Sequence, residues 1–125
     1  MLKGHLVNGC LASLNTTASW ESLANMNFAR ENFGCSVGTF EGLEGIYAAG
    51  SEDYPTNVEF YAPNINMWRN IDSLNTGRSL DTLTIINGKM VVAGGENEIT
   101  SVETLNGTEW VQTNNLKVHF FTFSL

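Results

Sequence analysis

A chain that repeats itself is restricted to architectures in which similar units stack, and this one repeats. Trp20, Trp68 and Trp110 stand 48 and then 42 residues apart. Arg30 and Arg78 each follow the preceding tryptophan by ten residues. The stretches that join them, "WESLANMNFAR" and "WRNIDSLNTGR", share apolar residues three and six after the Trp: Leu23 with Ile71, Met26 with Leu74. An apolar run then ends on glycine, "GIYAAGS" at Gly50 and "KMVVAGG" at Gly94-Gly95. Nine residues after Gly50 and Gly94 come Glu59 and Glu103, each behind a valine. The order Trp, Arg, Gly, Glu is kept twice, and the length differences fall where turns belong.

Local chemistry makes these units strands. Asn-Gly between apolar runs is a strong hairpin signal, because both central residues of a type I′ turn need positive φ. Asn87-Gly88 separates "TLTII" from "KMVVA", and Asn106-Gly107 separates "SVETL" from "TEWV". The runs are short and rich in Val, Ile, Thr and aromatic residues. Pro55 and Pro63 fall between them, where a missing N–H costs no ladder bond. Strands are expected near 34–40, 45–49, 57–61 and 67–72, and again near 80–86, 89–93, 101–105 and 109–113. Trp20, Leu23 and Ala24 also fit helical spacing, but Asp72, Ser73, Thr76 and Gly77 in the matching stretch favour a turn.

Arg, an apolar run ending in Gly-Gly, Val-Glu, then Trp, in this order and spacing, resembles the kelch repeat of β-propellers. The resemblance covers nearly the whole chain. It departs at Ser51, where the family has a second Gly, and at Leu105, where Tyr61 supplies the family's tyrosine in the other unit; Phe120 stands where an Arg is expected. It implies an all-β fold, a partial β-propeller of four-stranded antiparallel blades. Residues 20–67 and 68–110 would be full repeats, 1–20 the end of an earlier blade and 111–125 the start of a further one. The expected domain is thus an incomplete kelch-repeat domain over 1–125. Propellers close with about four to eight blades. The eight expected strands, with two more in 1–20 and one in 111–125, fall short of that, and Phe120, Phe121 and Phe123 near the raw end predict self-association.

Gly94-Gly95 is expected to supply positive φ and a close backbone approach. Trp110, like Trp20 and Trp68, is expected to be a plate between sheets. Arg30 with Glu59 and Arg78 with Glu103 recur once per unit. A repeated pair is expected to be a buried scaffold ion pair rather than a catalytic acid–base pair, and a buried Arg needs such a partner.

No nucleophile elbow or phosphate-cradling loop is visible, so no catalytic residue, cofactor or metal is assigned. His5 and His119 lie at opposite ends of the chain, too few and too distant for a copper site. Tyr47, Tyr54 and Tyr61 also resemble the tyrosine usage of the kelch-type copper oxidases, and a fragment of such a secreted enzyme is the alternative reading.

Function is therefore expected in the loops. The resemblance places two loop types on one face, around each Arg (27–33 and 75–81) and after each Gly (51–56 and 96–100). They carry Glu31, Asn32, Glu52, Asp53, Tyr54, Asp81, Glu96, Asn97 and Glu98. Two readings stand: ordinary solvated loops, or an acidic rim around Tyr54 that receives a basic peptide. The resemblance implies a protein-binding module, similar to the substrate-recognition part of kelch-like adaptors of cullin-based ubiquitin ligases or to an actin-associated scaffold.

The net charge of −7, from 6 basic and 13 acidic side chains, argues against nucleic acid as a partner. No run approaches the ~20 apolar residues of a membrane span. Cys10 and Cys35 are too few for a disulfide framework and are expected to be small buried apolar residues, with a reducing, cytoplasmic setting as the default.

Overall fold

The computed structural model describes residues 3–7, 10–15, 20–96 and 99–113, with side chains from residue 22 onward. The described residues are all-β, with eleven strands in three sheets. β4 (Gly34–Phe40), β5 (Leu43–Ala49), β6 (Val58–Ala62) and β7 (Met67–Ile71) form one four-stranded antiparallel meander. β8 (Thr82–Ile86), β9 (Lys89–Ala93), β10 (Val102–Asn106) and β11 (Glu109–Gln112) form a second with the same order. These are the two sets of four strands expected from the sequence, consistent with partial propeller blades.

The N-terminal sheet is built differently. β1 (Lys3–Val7) lies between β2 (Cys10–Asn15), antiparallel to it, and β3 (Trp20–Ser22), parallel to it. Residues 23–33 after β3 contain no helix, so the turn-forming character of the matching stretch decided correctly.

Turn chemistry fixes the registers. Asn87 and Gly88 both have positive φ (52° and 75°), as a type I′ hairpin requires, and Ile86 pairs with Lys89 across it. Glu41-Gly42 does the same between β4 and β5, with φ of 50° and 81°. At the other Asn-Gly the register differs from expectation. Asn106 ends β10 paired with Glu109, and the turn is Gly107-Thr108 with only Gly107 at positive φ (69°), the II′ arrangement.

Alternation along the strands divides the core in two. One face of the first meander sets Phe40, Tyr47, Ala49, Val58 and Phe60 against Leu83, Met90, Val92, Leu105 and Trp110 of the second. The Tyr47 and Phe60 rings are 5.0 Å apart, edge to face, and the Tyr47 hydroxyl donates to the Thr39 carbonyl at 2.7 Å. The opposite face packs Ile46, Ala48, Tyr61 and Trp68 around Met26, with Leu23 and Phe33 at the margin. Side chains of this size, fully buried, contribute roughly 1.5–3 kcal/mol each.

Cys35, on the same face, corrects an expectation. It is half-buried and disulfide-bonded rather than a small buried apolar residue. Its strand, β4, lies against β2, which begins at Cys10, a proximity between distant segments that cysteine count alone cannot reveal. No described helix is long and apolar enough to cross a membrane.

Candidate functional site: the loop end of the sheets

Meander topology sends every second connection to the same end. The segments 23–33, 50–57, 72–81, 94–96 and 99–101 therefore share one end of the two four-stranded sheets, while the short hairpin turns occupy the other. The loop end is held from below by two copies of one clamp.

In the first copy Arg30 Nη1 donates to the carbonyls of Gly50 and Asn57, both at 3.0 Å. Its Nη2 donates to Glu59 Oε2 at 2.9 Å and to the Asn57 side-chain oxygen. Glu59 also accepts from the backbone N–H groups of Asn27 (2.9 Å) and Phe28 (3.3 Å), and Asn27 Nδ2 donates to the Trp68 carbonyl at 3.0 Å. The second copy substitutes Arg78 for Arg30, Gly94 for Gly50, Ser101 for Asn57, Glu103 for Glu59, Asn75 for Asn27 and Trp110 for Trp68. Arg78 donates to the Gly94 and Ser101 carbonyls at 3.1 and 2.7 Å, to Ser101 Oγ at 2.7 Å and to Glu103 at 2.9 Å. Asn75 donates its N–H (2.7 Å) and Nδ2 (3.0 Å) to Glu103 Oε1, and Nδ2 reaches the Trp110 carbonyl at 2.8 Å.

Both ion pairs have fully buried side chains. Burial pulls the Arg30 guanidinium below its ordinary value, against the opposing hydrogen bond and charge of Glu59. Each carboxylate's remaining lone pairs meet backbone donors, the condition under which a buried pair is tolerated. The arginines thus fasten the loop before each sheet to the ends of that sheet's middle strands. They are scaffold in geometry, with every charged atom but Nε occupied by protein partners.

Sequence reading found Arg, Glu, Gly and Trp but missed Asn27 and Asn75. The signal was there: both stand three residues before the Arg and seven after the Trp. Gly94 and Gly95 have φ of 64° and 130°, as expected, and a Cβ on Gly95 would come within 2.8 Å of the Ser79 carbonyl. The matching Ser51 instead accepts the Tyr54 N–H on its Oγ at 2.8 Å, and its own N–H donates to the Arg78 carbonyl. The side chain of Trp20 lies outside the described residues.

Of the rim residues named from the sequence, Glu31, Asn32, Glu52, Asp53 and Tyr54 are exposed, and Glu96 is half-buried. Asn97 and Glu98 lie outside the described residues. Asn32 Nδ2 donates to Glu52 at 2.8 Å, and Ser79 Oγ donates to Glu96 at 3.2 Å. Tyr54, 42% exposed, rests its ring 4.8 Å from that of Phe28, a support that sequence reading passed over. Between these loops lies a cleft of about 300 Å³ lined by Ser51, Glu52, Pro55, Gly77, Ser79, Glu96 and Ile99, with the buried Arg78 also in its wall. Exposed Asp72 adds a further carboxylate at this end. Among the described residues the loop end has no exposed Lys or Arg; Arg69 belongs to β7, paired with Glu41 of a hairpin turn, and Lys89 adjoins another turn.

Asp81 is a correction. Its loop position predicts a rim carboxylate, but it is 2% exposed and lies between the two sheets. A Cβ on Gly34 would come within 2.7 Å of its Oδ2, and one on Gly50 within 2.9 Å of its Oδ1. Neither oxygen has a hydrogen-bond partner.

No family model matches the chain. It is 29% identical over 92 residues to Kelch-like protein 24 of Rattus norvegicus and of Homo sapiens, covering 70% of this chain. It is 31% identical over 84 residues, 63% of this chain, to Kelch-like protein 6 of Homo sapiens. In each case the chain spans 14% of the relative's length. This likeness, joined to the blade-like sheets and the duplicated clamp, supports the kelch resemblance read from the repeats.

Proposed function

We propose that this chain is a non-catalytic protein-interaction module whose loop end receives a peptide or protein segment bearing Lys or Arg. The observation that carries the reading is the charge of that end. Glu31, Glu52, Asp53 and Asp72 are exposed at the same end as Tyr54, while the two arginines beneath are buried and neutralised by Glu59 and Glu103. A cationic segment would meet carboxylates with no competing described surface cation, and Tyr54 on Phe28 offers a firm aromatic anchor. The finer forms of the reading, substrate recognition for a cullin-based ubiquitin ligase or an actin-associated scaffold, rest on the kelch resemblance. A cytoplasmic setting belongs to the adaptor form; the Cys35 disulfide favours an oxidising one, and a reductant-dependent shift on a non-reducing gel distinguishes them.

The test is a peptide array probed with the full chain, followed by titration at low and physiological salt. Lys- or Arg-bearing peptides should be selected, should weaken as salt rises, and should bind Glu52→Lys about tenfold more weakly. Selection of acidic peptides, or binding indifferent to salt, would overturn the reading.

A further inference from the structure

Asp81 is a buried acid that the clamps do not use. It follows Arg78 by three residues, where Phe33 follows Arg30 in the other unit, so this place holds an apolar side chain in one copy and an ionisable one in the other. Its carboxyl lies against backbone of two elements of the first meander, Gly34 at the start of β4 and Gly50 beyond the end of β5. Gly34 matches Thr82 in the second unit, and any side chain at 34 would strike the Asp81 carboxyl. The residue before it, Leu80, is held at φ 55°, a conformation unfavourable to a branched apolar side chain. Its N–H donates to the Asn32 carbonyl at 2.6 Å.

The same seam carries the backbone bonds that join the rim loops. The Ser51 N–H donates to the Arg78 carbonyl (3.0 Å) and the Arg78 N–H to the Pro55 carbonyl (2.8 Å), beside the Leu80–Asn32 bond. We propose that Asp81 is a proton-operated wedge in this seam: neutral, it lets the two sheets close, and ionised, it loosens the bonds that hold the rim loops together.

The physical case rests on a carboxyl buried between the sheets, where the Asp81 and Gly34 N–H groups are near enough to favour the anion but neither reaches hydrogen-bond geometry. Taking a carboxylate out of water without hydrogen bonds is costly, and the neutral acid avoids most of that cost. The charges that face Asp81 are few. Arg78 comes from its own loop and Arg30 from the loop before β4; each favours ionisation, but each is already paired, with Glu103 and Glu59. From β4 and the 50–57 loop the contacts are Gly34 and Gly50, neither titratable. Burial wins over both guanidinium charges and over the nearby Asp81 and Gly34 N–H groups, and pushes the carboxyl up from 3.8 to about 7. An acid raised on folding contributes stability that is full below its unfolded value and is lost as pH rises through the folded one. The window is therefore about pH 4 to 7.

Two measurements on the full chain test this. Carboxyl-carbon NMR should show Asp81 titrating with a midpoint near neutrality; a midpoint near 4 would overturn the proposal. Hydrogen exchange at the Ser51 and Leu80 amides, corrected for intrinsic base catalysis, should lose protection about tenfold or more between pH 5 and 8. Asp81→Asn should abolish that pH-dependent loss. Equal pH dependence in both proteins would equally sink the idea. Should Asp81→Asn not fold, the native midpoint and protection profile still decide. Peptide selectivity is read separately, so failure here leaves the proposed function standing or falling on its own test.

Discussion

Around Trp68 the first meander builds a second layer onto its clamp that the other meander lacks. Trp68 Nε1 donates to the Ala24 carbonyl at 2.8 Å, and the Ala24 N–H donates to Asn66 Oδ1 at 3.2 Å. Asn66 Oδ1 also accepts the Tyr61 hydroxyl at 2.6 Å. In the second meander Leu105 replaces Tyr61, Thr108 replaces Asn66 and Asp72 replaces Ala24, and buried Trp110 Nε1 has no partner among the described residues. The clamp beneath nevertheless keeps the same Arg–Glu pair, the same carbonyl and N–H partners and the unpartnered Arg Nε in both, differing in Ser101 for Asn57 and in an added Asn75 Nδ2 bond to Glu103. The difference separates two kinds of polar contact. Those that neutralise a buried charge cannot be dropped from a unit without stranding an ion. Those that satisfy a neutral donor at the margin can be exchanged for apolar contact at a cost near 1 kcal/mol.

The strongest way to break this comparison is to remove a charge from each copy. Arg30→Ala and Arg78→Ala should each destabilise by about 3–5 kcal/mol, because Glu59 or Glu103 is left buried with its partner gone. Urea denaturation of both variants checks it. If either proved as stable as the parent, the two networks would not be one device. Arg78→Ala should also raise the Asp81 titration further, since a guanidinium charge favouring the anion is lost.

A smaller effect sharpens the contrast at the tryptophans. Trp68→Phe removes a bonded indole N–H, whereas Trp110→Phe removes one that has no acceptor. The lost ring area is similar, so Trp68→Phe should cost more, by about 1 kcal/mol. Equal denaturation midpoints would mean that the Ala24 bond contributes nothing or that Trp110 has found water.

Much of this was legible in the residues, because a repeat displays twice what the fold needs. Gly50, Gly94, Arg30, Arg78, Glu59 and Glu103 could be paired by offset alone, and alternation with turn residues put the eight strands of the two meanders within a few residues. Asp81 was misplaced because polarity in a loop reads as exposure. What buries it is the absence of side chains at Gly34 and Gly50, and those glycines sit more than thirty residues away in sequence. Cys35 was misread for a similar reason: a disulfide depends on the approach of strands from different sheets, which no local pattern records. Asn27 and Asn75 were visible as a match but silent as chemistry until the Glu carboxylates came within reach of their N–H groups.

The smallest effect concerns the third Arg–carboxylate pair, Arg69 with Glu41, which has the shortest separation of the three at 2.6 Å. Distance alone would rank it strongest. Its side chains are 48% and 55% exposed, however, so water and salt already screen the attraction, and holding two long side chains in one geometry costs rotamer entropy. Arg69 also lies 5.0 Å from the centre of the Phe40 ring and keeps that contact without Glu41. Glu41 has φ of 50° in its hairpin turn, and Gln at that position inherits the same backbone. Glu41→Gln should therefore change stability by no more than about 0.5 kcal/mol, and less as salt is added. Glu103→Gln, equally isosteric, leaves Arg78 buried against a neutral partner and should cost several times as much. If the two substitutions gave equal losses in urea, burial would not be what distinguishes the clamps from the surface pair.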